Sequence, residues 1–205
     1  MSGTLFIIAA PSGAGKTSLV RELMRSDAKL RLSISFTTRE ARPGEVNAVD
    51  YHFVSPDVFK AKIAANELLE WALVHGNYYG TARVMVATEL GADRDVILEI
   101  DWQGARQVRL SFPDAREIFI LPPSRDTLKF RLENRAQDSA EVIAKRMRNA
   151  VEEMQHCGEF EFIVINDAFD TALHELKTIV AACRLSTSVQ KSRHSALITR
   201  LLDES

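Results

Sequence analysis

The sequence predicts an α/β fold, a parallel sheet with flanking helices, and three observations carry that expectation. Apolar, β-rich runs recur at Thr4 to Ala9, Val96 to Ile100, Arg116 to Leu121 and Glu161 to Ile165, with helical patterns between them, as crossover connections require. The first run leads straight into the glycine-rich turn Ala10-Pro11-Ser12-Gly13-Ala14-Gly15-Lys16-Thr17 and from there into a helix. Between residues 33 and 80 the pattern changes to short alternating segments such as Tyr51-His52-Phe53-Val54, which marks an inserted lobe.

The helix after the glycine-rich turn is expected over Lys16 to Ser26, with Leu19, Val20, Leu23 and Met24 on one face. Within the inserted lobe, Ser55-Pro56-Asp57 opens one brief helix. The run ending at Ile100 is followed by Asp101-Trp102-Gln103-Gly104, and the run ending at Leu121 by Pro122-Pro123-Ser124, where Ser124 caps a helix to about Arg135. Asn134 to Ser139 separates that helix from the next, for which Asp138-x-x-Glu141 is the expected capping box. Asp170 begins a long helix carrying Leu173, Leu176, Ile179, Val180 and Cys183, and a polar, mildly basic tail follows from Ser186. Ligands of open α/β sheets lie beyond the carboxyl ends of the strands, so Glu99, Asp101 and the 122–124 turn are expected beside the ligand.

Bulk properties narrow the function. A chain of 205 residues with 46% hydrophobic composition buries one core and carries one or two small lobes, not two independent domains. A net charge of −2 and a pI near 6.2 argue against a general nucleic-acid or membrane-surface binder, so neither partner is expected. Cys157 and Cys183 lack metal-ligand spacing and read as reduced thiols of a cytoplasmic protein. The stretch Leu5 to Ala10 is too short for a membrane span and has no basic flank like that of a signal peptide.

The glycine-rich turn reads as a P-loop, with Ala10 where the motif usually has glycine. Gly13 and Gly15 let backbone N–H groups turn onto a polyphosphate, Lys16 supplies a point charge, and the Thr17 hydroxyl suits Mg²⁺. A second set, Arg39 and Arg42 followed by Pro43-Gly44-Glu45 and Tyr51, fits another phosphate, because guanidinium forks and tyrosine hydroxyls bind its oxygens. Taken alone the arginine pair fits a solvated loop equally well, neutralised by Glu40 and Glu45. Asn77-Tyr78-Tyr79-Gly80-Thr81 reads by itself as a turn at a strand end. His75, His156 and His194 have no partner pattern that suggests catalysis, and Trp71 and Trp102 read as packing groups.

Five segments in this order, A-P-S-G-A-G-K-T, T-T-R-x-x-R-P-G-E-V, Leu68-Leu69-Glu70-Trp71-Ala72, G-N-Y-Y-G-T and L-E-I-D-W-Q-G, resemble bacterial guanylate kinases from about Thr4 to Ala182. The resemblance implies a P-loop core (3–32, 82–124 and 149–183), a GMP-binding lobe (33–81) and a helical lid (125–148), together a domain over 3–183. The polar tail, 184–205, is expected to be helical. The implied reaction is ATP + GMP ⇌ ADP + GDP, with Mg²⁺ as cofactor, in purine nucleotide metabolism. The alternative is a guanylate-kinase-like module that binds a phosphorylated peptide without catalysis.

Carried over by motif position, the ATP site comprises Ala10, Pro11, Ser12, Gly13, Ala14, Gly15, Lys16 and Thr17, with Arg131, Arg135 and Arg146 from the lid and Asn166 from an adenine-side turn. Arg39, Arg42, Tyr51 and Tyr79 hold the GMP phosphate, with Glu45 bracing the arginines, and Ser35, Glu70, Thr81 and Asp101 read guanine. Guanine offers an acceptor at O6 and donors at N1 and N2, which match hydroxyls and a carboxylate. Glu99 ends its strand where a magnesium-side carboxylate belongs, acting directly or through water with Thr17. Lys16, Arg39, Arg135 and Arg146 are the catalytic candidates. No general base is needed, since phosphoryl transfer is catalysed mainly by alignment and charge neutralisation.

Overall fold

The computed structural model describes residues 3–74, 76–135 and 139–203, without the side chains of 135 and 140. His75 and Asp138, and the side chain of Arg135, therefore lie outside the described residues.

Five parallel strands form the central sheet. In chain order they are β1 (Leu5–Ala9) and β2 (Leu30–Leu32), then, after four strands of a second sheet, β7 (Asp95–Glu99), β8 (Arg116–Leu121) and β9 (Phe162–Ile165), arranged β2-β7-β1-β8-β9. β1 is buried along its whole length because sheet neighbours flank it and helices cover both faces. On one face α1 (Lys16–Ser26) and α7 (Phe169–Arg184) pack Leu19, Leu23, Leu176 and Val180 onto Phe6, Ile8 and Ile120. On the other, α3 (Arg83–Gly91) and α4 (Trp102–Ser111) pack Val86, Leu90, Ala105 and Val108 onto Ile7 and Leu98. The β1 register pairs Ile8 with Glu99 and Ile118, so the P-loop, Glu99 and Asp101 emerge at the same edge. β2 is only three residues long, which is why the hydrophobic pattern does not announce it.

The second sheet holds β3 (Phe36–Thr37), β4 (His52–Phe53), β5 (Leu68–Val74) and β6 (Asn77–Ala82) in the order β4-β3-β6-β5, with α2 (Pro56–Ala64) beside it. Ser55 caps α2 as expected, its hydroxyl accepting from the Val58 amide. The segment Asn77 to Thr81 is not a turn: β6 pairs antiparallel with β5 from Asn77↔Val74 onward, so the reversal falls before it. Cross-strand hydrogen bonding there outweighs the turn propensity of Asn and Gly.

α5 (Arg125–Arg135) is capped by Ser124, whose hydroxyl accepts from the Thr127 amide. α6 (Ala140–Gln155) has Ser139 as its cap, accepting from Val142, in place of the expected Asp138. Two short helices, α8 (Thr187–Arg193) and α9 (Ser195–Leu202), follow α7. Among the described residues no helix is long and apolar enough to cross a membrane.

Candidate active site

A cavity of about 1010 Å³ opens at the carboxyl edge of the central sheet and runs between the P-loop and the second sheet. At one end Gly13 and Gly15 hold φ of +91° and +92°, left-handed values that a side chain would strain. Gly15 also serves as the α1 cap; no side chain caps that helix and no acidic residue occupies its first turn. Its orphan amides and positive dipole end are thereby left for an external anion. Lys16 and Thr17 line the cavity here, and the Thr17 hydroxyl donates to Glu99 Oε2 at 3.4 Å. This pair of oxygen donors fits Mg²⁺, which takes one or two protein oxygens and completes its shell with phosphate and water.

Neighbouring elements brace the loop. Asn166 Nδ2 donates to the Ala14 carbonyl at 2.7 Å, and Arg131 donates to the Asn166 carbonyl at 3.0 Å. Asn166 is thus buried against the P-loop backbone and does not itself line the cavity. Glu153 on α6 accepts from the Ser12 amide at 3.1 Å, and burial pushes its carboxyl above the usual range. Sequence reading missed Glu153, although its place one turn beyond Ala150 puts a carboxylate on the apolar stripe of an amphipathic helix. The 122–124 turn also stays off the wall; α5 rises from it over the P-loop and brings Phe130, Arg131 and Asn134 instead. Arg146, half-buried on α6, does not line the cavity either.

At the other end, Glu45 joins the two arginines. Arg39 donates to Glu45 Oε1 at 2.8 Å, while the Arg42 amide donates to Oε2 at 2.8 Å. The carboxylate holds the Arg39 guanidinium above its ordinary pKa, against the opposing effect of burial, and leaves the Arg42 side chain exposed. Tyr51 and Tyr79 stand edge to face at 6.0 Å beside Arg39. All five residues line the cavity. A further ion pair, Arg21 to Asp50 at 3.2 Å, ties α1 to this lobe; with the partners 29 positions apart, no local pattern signals it.

Glu70, on β5, is 3% exposed yet faces the cavity together with Ser35 and Asp101. Burial pushes its carboxyl up to about 7, helped by the nearby Asp101 and opposed by the hydrogen bond from Thr81. The Thr81 hydroxyl donates to Glu70 Oε1 at 2.6 Å, but Thr81 is fully buried and off the wall. From there Thr81 grips the carboxylate that is expected to read the base. Asp101 Oδ1 caps α4 by accepting from the Gly104 amide at 2.8 Å. Trp102 lines the cavity, but its ring stacks on His156 at 3.7 Å.

A P-loop of backbone amides and lysine at one end of the cavity, with arginines and tyrosines at the other, fits the class of P-loop nucleotide kinases. The family model described as guanylate kinase matches residues 2–183. Over 202 residues the chain is 53% identical to the guanylate kinase of Dechloromonas aromatica, covering 98% of this chain and all of that one. It is 54% identical over 203 residues to the guanylate kinase of Xanthomonas campestris pv. campestris, covering 99% and 100%. The solved guanylate kinase of Anaplasma phagocytophilum superposes with a TM-score of 0.77 at 27% identity, covering 93% of this chain and 95% of that one. The chain belongs to the guanylate kinase family.

Proposed function

We infer that this chain transfers the terminal phosphoryl group of ATP to GMP, giving ADP and GDP, as a cytoplasmic enzyme of purine nucleotide metabolism. The observation that carries this reading is the pairing of two phosphate cradles with a buried carboxylate between sheet and lobe. The P-loop amides and Lys16 hold the ATP phosphates, and Thr17 with Glu99 would hold Mg²⁺, which would supply charge neutralisation of the polyphosphate. Arg39, Arg42, Tyr51 and Tyr79 hold the GMP phosphate, and its oxygen, already anionic, attacks without a base. Glu45 fixes the Arg39 fork and the backbone at Arg42, so that the Arg39 guanidinium meets phosphate already ordered. Glu70 accepts from guanine N1–H and N2–H, while Ser35 donates toward O6. Adenine presents an acceptor at N1, which would face the lone pairs of Glu70.

Segment 33–81 acts as the GMP lobe and 125–148 as the lid that excludes water, with Arg131, Arg135 and Arg146 approaching the moving phosphoryl group when it closes. The intact P-loop disfavours a module that merely binds a phosphopeptide, since such a role needs no ATP cradle. A coupled assay of ADP release tests the reading over GMP, AMP, UMP and CMP with ATP and Mg²⁺. Rapid turnover with GMP alone is expected; phosphopeptide binding without turnover of any nucleotide would overturn it.

A further inference from the structure

We propose that Gly104 is a specificity-positioning residue, because its missing side chain is the recess that seats the Glu70 carboxylate in the guanine pocket. The proposal rests on the reading of Glu70 as the group that contacts guanine. A Cβ at position 104 would stand 2.6 Å from Glu70 Oε2 and 3.2 Å from its carboxyl carbon. Its next neighbour, the Ile100 Cβ, lies at 3.4 Å, an ordinary contact. Gly104 belongs to the first turn of α4, with no left-handed torsion, so nothing in its backbone demands glycine. The requirement comes from Glu70 alone.

Glu70 cannot step aside without loss. Its other oxygen, Oε1, is held by the Thr81 hydroxyl at 2.6 Å. The strand carrying Glu70 is locked to α4 by Gln107, whose Oε1 accepts from the Trp71 amide at 3.1 Å and whose Nε2 donates to the Trp71 carbonyl at 2.7 Å. A methyl group on residue 104 therefore leaves helix and strand in place and moves only the end of the Glu70 side chain. That displacement breaks the Thr81 bond or drives the carboxylate into the space of the base. Alanine is the better helix former, so the fold gains while the pocket loses.

The test is a double-variant cycle of Gly104→Ala and Glu70→Ala, reading kcat/KM for GMP, KM for ATP and the thermal midpoint. Gly104→Ala should lower kcat/KM for GMP about tenfold through KM, leave KM for ATP within about twofold, and unfold no earlier than the unsubstituted chain. In the Glu70→Ala background the same change should have no further effect, because the group it displaces is gone. Undiminished GMP kinetics in Gly104→Ala, a parallel rise of both KM values, or a full tenfold loss in the Glu70→Ala background would overturn the proposal. Normal GMP kinetics in Glu70→Ala itself would instead remove the base-reading role on which the proposal stands.

Discussion

Asp95 and Glu70 are buried almost equally, at 1% and 3% exposure, yet their surroundings are opposite. Asp95, at the amino edge of the central sheet, accepts from the Thr4 amide at 2.7 Å and from Arg184 at 2.6 Å. Arg184 also reaches Asp27 at 2.5 Å, so both carboxylates at that edge are paired with one guanidinium within the fold. Glu70, in the cavity beyond the carboxyl edge, has the Thr81 hydroxyl and, among the described residues, no salt bridge. Burying a carboxylate without a cation is unfavourable, and the raised Glu70 pKa expresses that cost. The lesson is that a closed ion pair holds the architecture, whereas a buried charge left open marks the place a ligand completes.

The largest effect should come from breaking the closed end. Arg184→Ala strands Asp95 and Asp27, and chemical denaturation should show a loss of about 3–5 kcal/mol, with KM for both nucleotides unchanged in the folded fraction. Equal stability would mean that the buried pair carries no architectural weight. At the open end the order reverses. Lys16→Ala should keep the fold by circular dichroism and lose on the order of 10²-fold or more in kcat, since charge stabilisation around the moving phosphoryl group is most of the catalysis. Retained turnover would discard the P-loop assignment.

Glu70→Gln sharpens the comparison at smaller scale. GMP kcat/KM should fall by a factor equivalent to roughly 1–3 kcal/mol, with KM for ATP little changed, because the amide presents a donor where guanine also donates. Stability should move the other way. The folded pKa of about 7 lies above the ordinary 4.5, so the Glu70 contribution is intact below pH 4.5 and is lost as pH rises through 7. Denaturation curves from pH 5 to pH 8 should show the Gln variant gaining relative to the parent as pH rises, by at most on the order of 3 kcal/mol. A pH-independent difference would contradict the burial argument.

What could be read in the sequence follows the range of the interactions. The P-loop is eight contiguous residues whose chemistry is local, and α1 follows from a single apolar stripe; both agree with the structure. The roles proposed for Glu70, Arg39 and Arg42 could be read only through ordered motifs, since a lone glutamate in Leu-Leu-Glu-Trp carries no sign of its burial. The grips of Thr81 on Glu70 and of Asn166 on the Ala14 carbonyl were not legible, because position in a motif does not tell what a side chain holds within the fold. Glu153 on Ser12, Arg21 on Asp50 and Arg184 on Asp95 join residues 141, 29 and 89 positions apart, and only the folded chain brings them together.

The most direct test of the contrast is a carbon-13 NMR titration of the Glu70 side-chain carboxyl, assigned by comparison with Glu70→Gln, with and without saturating GMP. The account predicts a midpoint near 7 in the free protein and a fall of at least one pH unit with GMP, because the N1–H and N2–H donors stabilise the carboxylate. A midpoint near 4.5 in the free protein, or one that GMP leaves unmoved, would contradict it.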